Sequence, residues 1–324
     1  MQIRCEVIRG NRVESEHNVE AVVVNSDGVP VFQTNHPDFE TYVRSSAKPF
    51  QAYPLVASGA AEHFHLSQQE LAICCASHNS EPVHVETVRA LHKRTGLTEE
   101  MLRCGVHTPL DSETAEDLWK SNTPITQYHN NCSGKHTGML LACKHQNFPM
   151  DDYIEPGHPL QAQIRQHLQE VIEREPIHIG IDGCSVPTFY MSLRELATAF
   201  LHLADQSDPN LNTLYDVMTG EPYLVAGRNR FDTEIMQALP GTVISKVGAE
   251  GVRALGIRVD GDSYGLALKV RDGSKRASGA AVLNIFQHLG WFPEQIQSTL
   301  ADKVMPVINN HAGLEVGHIA IQIQ

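Results

Sequence analysis

The chain has 324 residues, 41% of them apolar, and a formal net charge of −13; it is long enough for one large domain or two subdomains with a substantial core. The negative balance, with no block of consecutive like charges, argues against nucleic acid and anionic membrane surfaces, though a local Arg or Lys could still meet an anionic substrate. No apolar run approaches the ~20 residues that span a bilayer, and the N-terminal stretch MQIRCEVIRG lacks the apolar segment of a signal peptide, so a cytoplasmic location is expected.

The first forty residues read as strands. CEVIRG, EAVVVNS and VPVFQT are short β-rich runs, and Ser26-Asp27-Gly28 is a hairpin turn signal. From about residue 45 to 240 helical patterns dominate, in PFQAYPLVASG, SQQELAICCAS, EPVHVETVRALHKRTG, GKHTGMLLACKH and PLQAQIRQHLQEVIER. Strands return with TVISKVG, RALGIRV and YGLALKV. The helical SGAAVLNIFQHLG follows, and VGHIAIQI reads as a last strand. Sequential strands with short turns pair antiparallel. The economical arrangement is an α/β (α+β) protein in which residues 1–40 and 241–324 build one sheet domain. Residues 41–240 form a mainly helical insertion, and an active site is expected where the two meet.

Seven cysteines, Cys5, Cys74, Cys75, Cys104, Cys132, Cys143 and Cys184, are an odd number in a chain with no secretion signal, which speaks against a disulfide framework. Most are expected to be buried thiols.

Five stretches could carry chemistry. In Ser45-x-x-Lys48 the two side chains share a helical face, and Pro49 suits a first helical turn. A neutral Lys48 could take the Ser45 proton. Holding that amine neutral near pH 7 takes roughly 4–5 kcal/mol, which burial and a neighbouring cation such as Arg44 would supply. Ser77-His78-Asn79 ends a helix, and Lys246-x-Gly248 lies on a later strand. The order S-x-x-K, S-x-N, K-x-G is the layout of serine β-lactamases and penicillin-binding proteins. In Asn130-Asn131-Cys132-Ser133-Gly134-Lys135-His136, Cys132 and Lys135 share a face near a helix N-terminus, which favours thiolate. Ile181-Asp182-Gly183-Cys184 offers a second thiol. Two thiolates could bind zinc, with His136 or His78 as further ligands, or could simply be buried.

The segments RSSAKPFQAYPLVASGAA, CCASHNSEPVH, NNCSGKHTGMLL, IDGCSVPTF and KVGAEGV…GLALKVRDG resemble the asparaginase II family, the Rhizobium-type or class 3 L-asparaginases, along nearly the whole chain. The resemblance implies a fold like serine β-lactamases and glutaminases, with an antiparallel sheet flanked by helices. It implies hydrolysis of L-asparagine to L-aspartate and ammonia, and a homodimer. It implies Zn²⁺ held by Cys132, Lys135 and Cys184, with Asp182 in support. Ser45 with Lys48 carries over as nucleophile and base, and Ser77 as the partner of a later lysine, placed at Lys246 with Lys269 as the competing choice. Arg44, His78, Asn79, Asn130 and Asp182 are the expected substrate-binding residues. A glutaminase, or a penicillin-recognising serine acyl hydrolase, is the alternative reading. A non-catalytic amino-acid- or metal-binding protein is a second.

Overall fold

The computed structural model describes all 324 residues. They divide into two compact units. Met1–Ser46, Met191–Asp205 and Glu234–Gln324 form the first; Ala47–Tyr190 and Gln206–Thr233 form the second. The sequence reading put the divisions near 40 and 240 and left residues 191–205 in the helical domain. The structure returns that segment to the sheet.

The first unit is built on an eight-stranded sheet. Its strand order is Val307–Asn309, Glu315–Ile323, Ile3–Arg9, Arg12–Asn25, Asp262–Val270, Val252–Val259 and Val243–Gly248, with Pro30–Gln33 pairing additionally with Arg12–Asn25. All these pairings are antiparallel, and Cys5 faces Ile321, Val22 faces Ala267 and Leu255 faces Leu266. Both chain ends thus lie within one sheet. Arg12–Asn25 is longer than its apolar run suggested: the polar RVESEHN half is mostly exposed yet pairs with Ile3–Arg9, the register shifting at Glu14.

The helix Leu193–Ala204 belongs here because of its apolar face. Leu196, Ala197, Phe200, Leu203 and Ala204 are buried, and a capping box between Ser192 and Glu195 starts the helix. Its backbone lies almost on the sheet, with a glycine at the point of contact. A Cβ at Gly265 would stand 1.8 Å from the Ala197 carbonyl oxygen and 2.6 Å from the Leu201 nitrogen.

The second unit is helical. Its centre is Ser133–Gln146, in which every residue from Ser133 to Cys143 is buried. A helix buried on all sides has no polar stripe to lose. Lys48–Ala57, Gln68–Cys74, Pro82–Thr95 and Pro159–Ile172 pack around it. Inward polar groups find partners: His92 Nε2 meets Thr137 Oγ1 at 2.8 Å, and Thr137 donates to the Ser133 carbonyl. A short hairpin, His178–Ile181 with the strand beginning at Pro187, interrupts the helices. All seven cysteines are buried and none is in a disulfide. No helix is long and apolar enough to cross a membrane.

Gly265→Ala is expected to destabilise the sheet unit by at least ~2 kcal/mol, because backbone rather than a flexible side chain must move. Thermal unfolding should show a midpoint lower by several degrees.

Candidate active site

Three helix ends of the second unit converge on one amine. Lys48 opens the helix Lys48–Ala57, is 1% exposed, and carries Pro49 behind it in the first turn. Its Nζ donates to the Ala76 carbonyl at 2.5 Å, to Ser77 Oγ at 2.8 Å and to the Asn131 carbonyl at 3.3 Å. Ala76 and Ser77 follow the helix Gln68–Cys74, and Asn131 precedes Ser133–Gln146. Burial pushes the Lys48 amine below its ordinary range. Cys132 opposes that shift and Lys135 adds to it.

Ser45 lies three residues before Lys48, in a 3₁₀ turn, Arg44–Ala47, that runs straight into the Lys48 helix. In the first unit this turn is tied by Ser46, whose nitrogen and hydroxyl both donate to the Val43 carbonyl at 3.1 and 2.6 Å. Gly248 backs onto it: a Cβ there would come within 2.4 Å of the Val43 oxygen. Lys246 is fully buried on the same strand, Val243–Gly248, and alternation sends its side chain to the face Gly248 presents to the turn. Lys269 donates instead to the Glu250 carbonyl. Both late lysines lie in the first unit. Within the second unit the lysine that reaches Ser77 is Lys48.

A sulfur-rich centre adjoins Lys48. Lys135 Nζ is 2.9 Å from Cys184 Sγ, and Cys132 Sγ is 3.3 Å from Asn131 Oδ1. Hydrogen bonding with the neighbouring Cys184 thiol holds Cys132 well below the usual thiol range despite burial, with Lys48 and Lys135 adding their charge; Cys184 itself is raised. Burial works against the Lys135 ammonium, but the two sulfurs outweigh it and the shift is upward. Cys184 is presented by the hairpin turn, where Asp182 Oδ1 accepts from Gly183 N at 2.7 Å and Asp182 N–H donates to the Val186 carbonyl at 2.9 Å. His136 completes the surroundings. Its Nδ1 is 2.6 Å from the Tyr153 hydroxyl, which accepts from Arg103 N–H. That leaves the hydroxyl hydrogen for Nδ1 and the imidazole proton on Nε2, a buried atom lacking a hydrogen-bond partner of good geometry, which interacts with Cys184. Burial first of all drops the His136 pKa to about 4. No three His, Cys, Asp or Glu side chains gather as a metal site, here or anywhere else in the chain. Here the donor set is two sulfurs and an amine, which suits a soft-tolerant divalent ion.

Three expected substrate contacts have their polar groups engaged within the protein. His78 Nδ1 accepts from Ser80 N–H at 3.1 Å, so its proton sits on Nε2, 3.0 Å from Ser133 Oγ. Asn79 bonds the Arg228 carbonyl and Arg230 Nη1 at 2.9 and 2.8 Å. Asn130 holds the Cys104 and Gly105 carbonyls at 2.8 and 3.1 Å and receives Cys132 N–H at 2.8 Å. Arg44 sits at the start of its turn with φ 49°. The sequence reading missed Glu81, two residues after Asn79, and Tyr223 with the segment Val225–Arg230, which enclose Ser77–Asn79 from far along the chain. Only the glycine and arginines of AGRNR hinted at them.

A family model described as L-asparaginase II matches residues 5–321. The chain belongs to the L-asparaginase II family. The family is one of amidohydrolases acting on asparagine. Among curated proteins none matches this chain. Among solved structures, a proposed β-lactamase from Bacteroides dorei aligns over 83% of this chain and 85% of that chain, with 13% identity and a TM-score of 0.36.

Asn130→Ala would leave the Cys132 N–H and the Cys104 carbonyl without partners in the interior. A loss of about 1–3 kcal/mol is expected, measured as a lower denaturant midpoint at unchanged slope.

Proposed function

We propose that the protein hydrolyses L-asparagine to L-aspartate and ammonia through a serine–lysine pair centred on Lys48. The carrying observation is the buried Lys48 amine 2.8 Å from Ser77 Oγ, with Ser45 three residues upstream on the same helical stretch. Lys48 accepts the Ser45 hydroxyl proton, and Ser45 Oγ bonds to the side-chain carboxamide carbon. Backbone N–H groups at the start of the Lys48 helix receive the oxyanion. The proton passes by way of Ser77 to the nitrogen, the C–N bond breaks, and ammonia leaves. Water then cleaves the ester to give aspartate and restore the Ser45 hydroxyl. Arg44, beside the nucleophile, meets the substrate α-carboxylate.

The Lys48–Ser77 contact also supports a second reading, in which Ser77 is the nucleophile and Ser45 the relay. Ammonia release from L-asparagine separates the two. Ser45→Ala is expected to lose about 10³-fold or more in kcat while remaining folded, and acylated wild-type enzyme should carry its adduct on Ser45. An adduct on Ser77 would transfer the role. Full turnover in both Ser45→Ala and Ser77→Ala would refute the serine mechanism.

Cys132, Lys135 and Cys184 would hold zinc, with Asp182 and His136 supporting Lys135 and Cys184. A zinc ion there would supply Lewis acidity toward a substrate carboxylate or amine. The protein's part is to give up the Cys132, Cys184 and Lys135 protons on loading, so metal uptake should release protons and weaken as pH falls. Protein purified without added metal should contain about one zinc per chain, and Cys184→Ala should contain almost none. Full occupancy in Cys184→Ala would place the ligands elsewhere.

A further inference from the structure

Ser77 lies in Ala76–Ser80, a stretch with no regular secondary structure just beyond the helix Gln68–Cys74. No helical or sheet ladder fixes its two flanking peptide planes, so individual bonds must. Ser77 N–H donates to the Val225 carbonyl at 2.9 Å, and His78 N–H to the Asn131 carbonyl at 3.3 Å. The Ala76 carbonyl takes Lys48. The Ser77 carbonyl takes Arg230 Nη1 at 3.2 Å, and the same nitrogen reaches Asn79 Oδ1 at 2.8 Å. Arg230 therefore grips the turn at both ends, on the carbonyl of Ser77 and on the side chain two residues later. Asn79 Nδ2 returns to the Arg228 carbonyl, closing a ring of bonds between the two segments.

The segment that delivers Arg230 is itself shaped by a buried carboxylate. Glu81 Oε1 accepts Arg228 N–H at 2.9 Å and Asn79 Nδ2 at 3.3 Å, while Oε2 accepts the Tyr223 hydroxyl. Gly227 passes so close that a Cβ would lie 2.4 Å from Glu81 Oε1, and its φ is +118°. The Arg228 guanidinium is fastened outside by Asp111 and Glu113 at 2.8 and 2.6 Å.

We infer that Arg230 is a positioning residue for Ser77, acting through the Ser77 carbonyl and the Asn79 amide, with Glu81 setting the path of the segment that carries it. The inference rests on the reading of Lys48 and Ser77 as the reacting pair. Without Arg230 the peptide plane after Ser77 can tip, and the Ser77 hydroxyl swings relative to the Lys48 amine. Displacement of about 1 Å at a reacting group costs on the order of 10²-fold in rate. The lesion is expected on kcat, because Arg230 acts through the Ser77 carbonyl and the Asn79 side chain.

The test uses the full-length enzyme with L-asparagine, and compares Arg230→Ala, Arg230→Lys and Ser77→Ala. Arg230→Ala is expected to lose about 10²-fold in kcat, with KM changed by no more than about threefold. Millimolar guanidinium chloride should restore about 10-fold of that loss in Arg230→Ala, and nothing in Ser77→Ala or with sodium chloride at equal ionic strength. A purely structural role would not produce this rescue. Should Arg230→Ala unfold, Arg230→Lys decides: it keeps the charge, but its side chain is one bond shorter and its ammonium falls short of the place Nη1 holds between the two acceptors, so about a 10-fold loss in kcat is expected. Wild-type kcat in either folded variant, or a change confined to KM, overturns the inference. Wild-type turnover in Ser77→Ala would instead remove the reading of Ser77 on which it rests.

Discussion

An amine without water dominates the helical unit. Lys48 Nζ is shut away from solvent, so every hydrogen it carries must be matched by protein. The three acceptors come from its own helix's neighbours: two from the exit of Gln68–Cys74 and one from the entry to Ser133–Gln146. The demand for partners therefore draws three helix ends to one point. Burial also disfavours the charged form of this amine, against the pull of the carbonyls that accept its hydrogens.

The sulfur centre follows from the same constraint. The cation buried at Lys135 needs compensation, and the thiolate tendency of Cys132 provides it. Cys132 and Lys135 are delivered by the start of the most deeply buried helix, while Cys184 arrives on a five-residue turn whose backbone is tied through Asp182. A rigid helix and a stiff hairpin fix the two sulfurs from different directions. Asn130 and His78, whose polar groups are engaged with backbone and side chains around them, keep the helix entry from shifting.

What could be read from the sequence was what is local. Ser45 and Lys48, Cys132 and Lys135, and the Lys246–Gly248 pair declare themselves by short spacing, and an antiparallel sheet from both chain ends follows from alternating apolar runs. The family was legible in the long strings around those residues. What depends on tertiary contact was not. Leu193–Ala204 has an ordinary helical pattern, and only the closeness of its backbone to Gly265 shows that it rides on the sheet. The polar half of Arg12–Asn25 has no apolar face to announce it. Glu81 and Arg230 lie far apart in the chain, and each looks like a surface charge until Asn79 is placed between them. Asn79 and Asn130 stood out by type and position, but their spacing could not tell a contact with substrate from one with backbone.

The pairing of Ile3–Arg9 with Glu315–Ile323 reaches beyond the finished molecule. The last strand to be synthesised among those of the sheet inserts next to the first. Until it emerges from the ribosome, the early hairpin carries an open edge of unpaired amides and carbonyls, a template for association with other chains. The helices of Ala47–Tyr190 are complete long before that and rely on nearer contacts. Biogenesis thus has a built-in order, with the residues around Lys48 and the sulfur centre synthesised while the sheet is still waiting for its final strand.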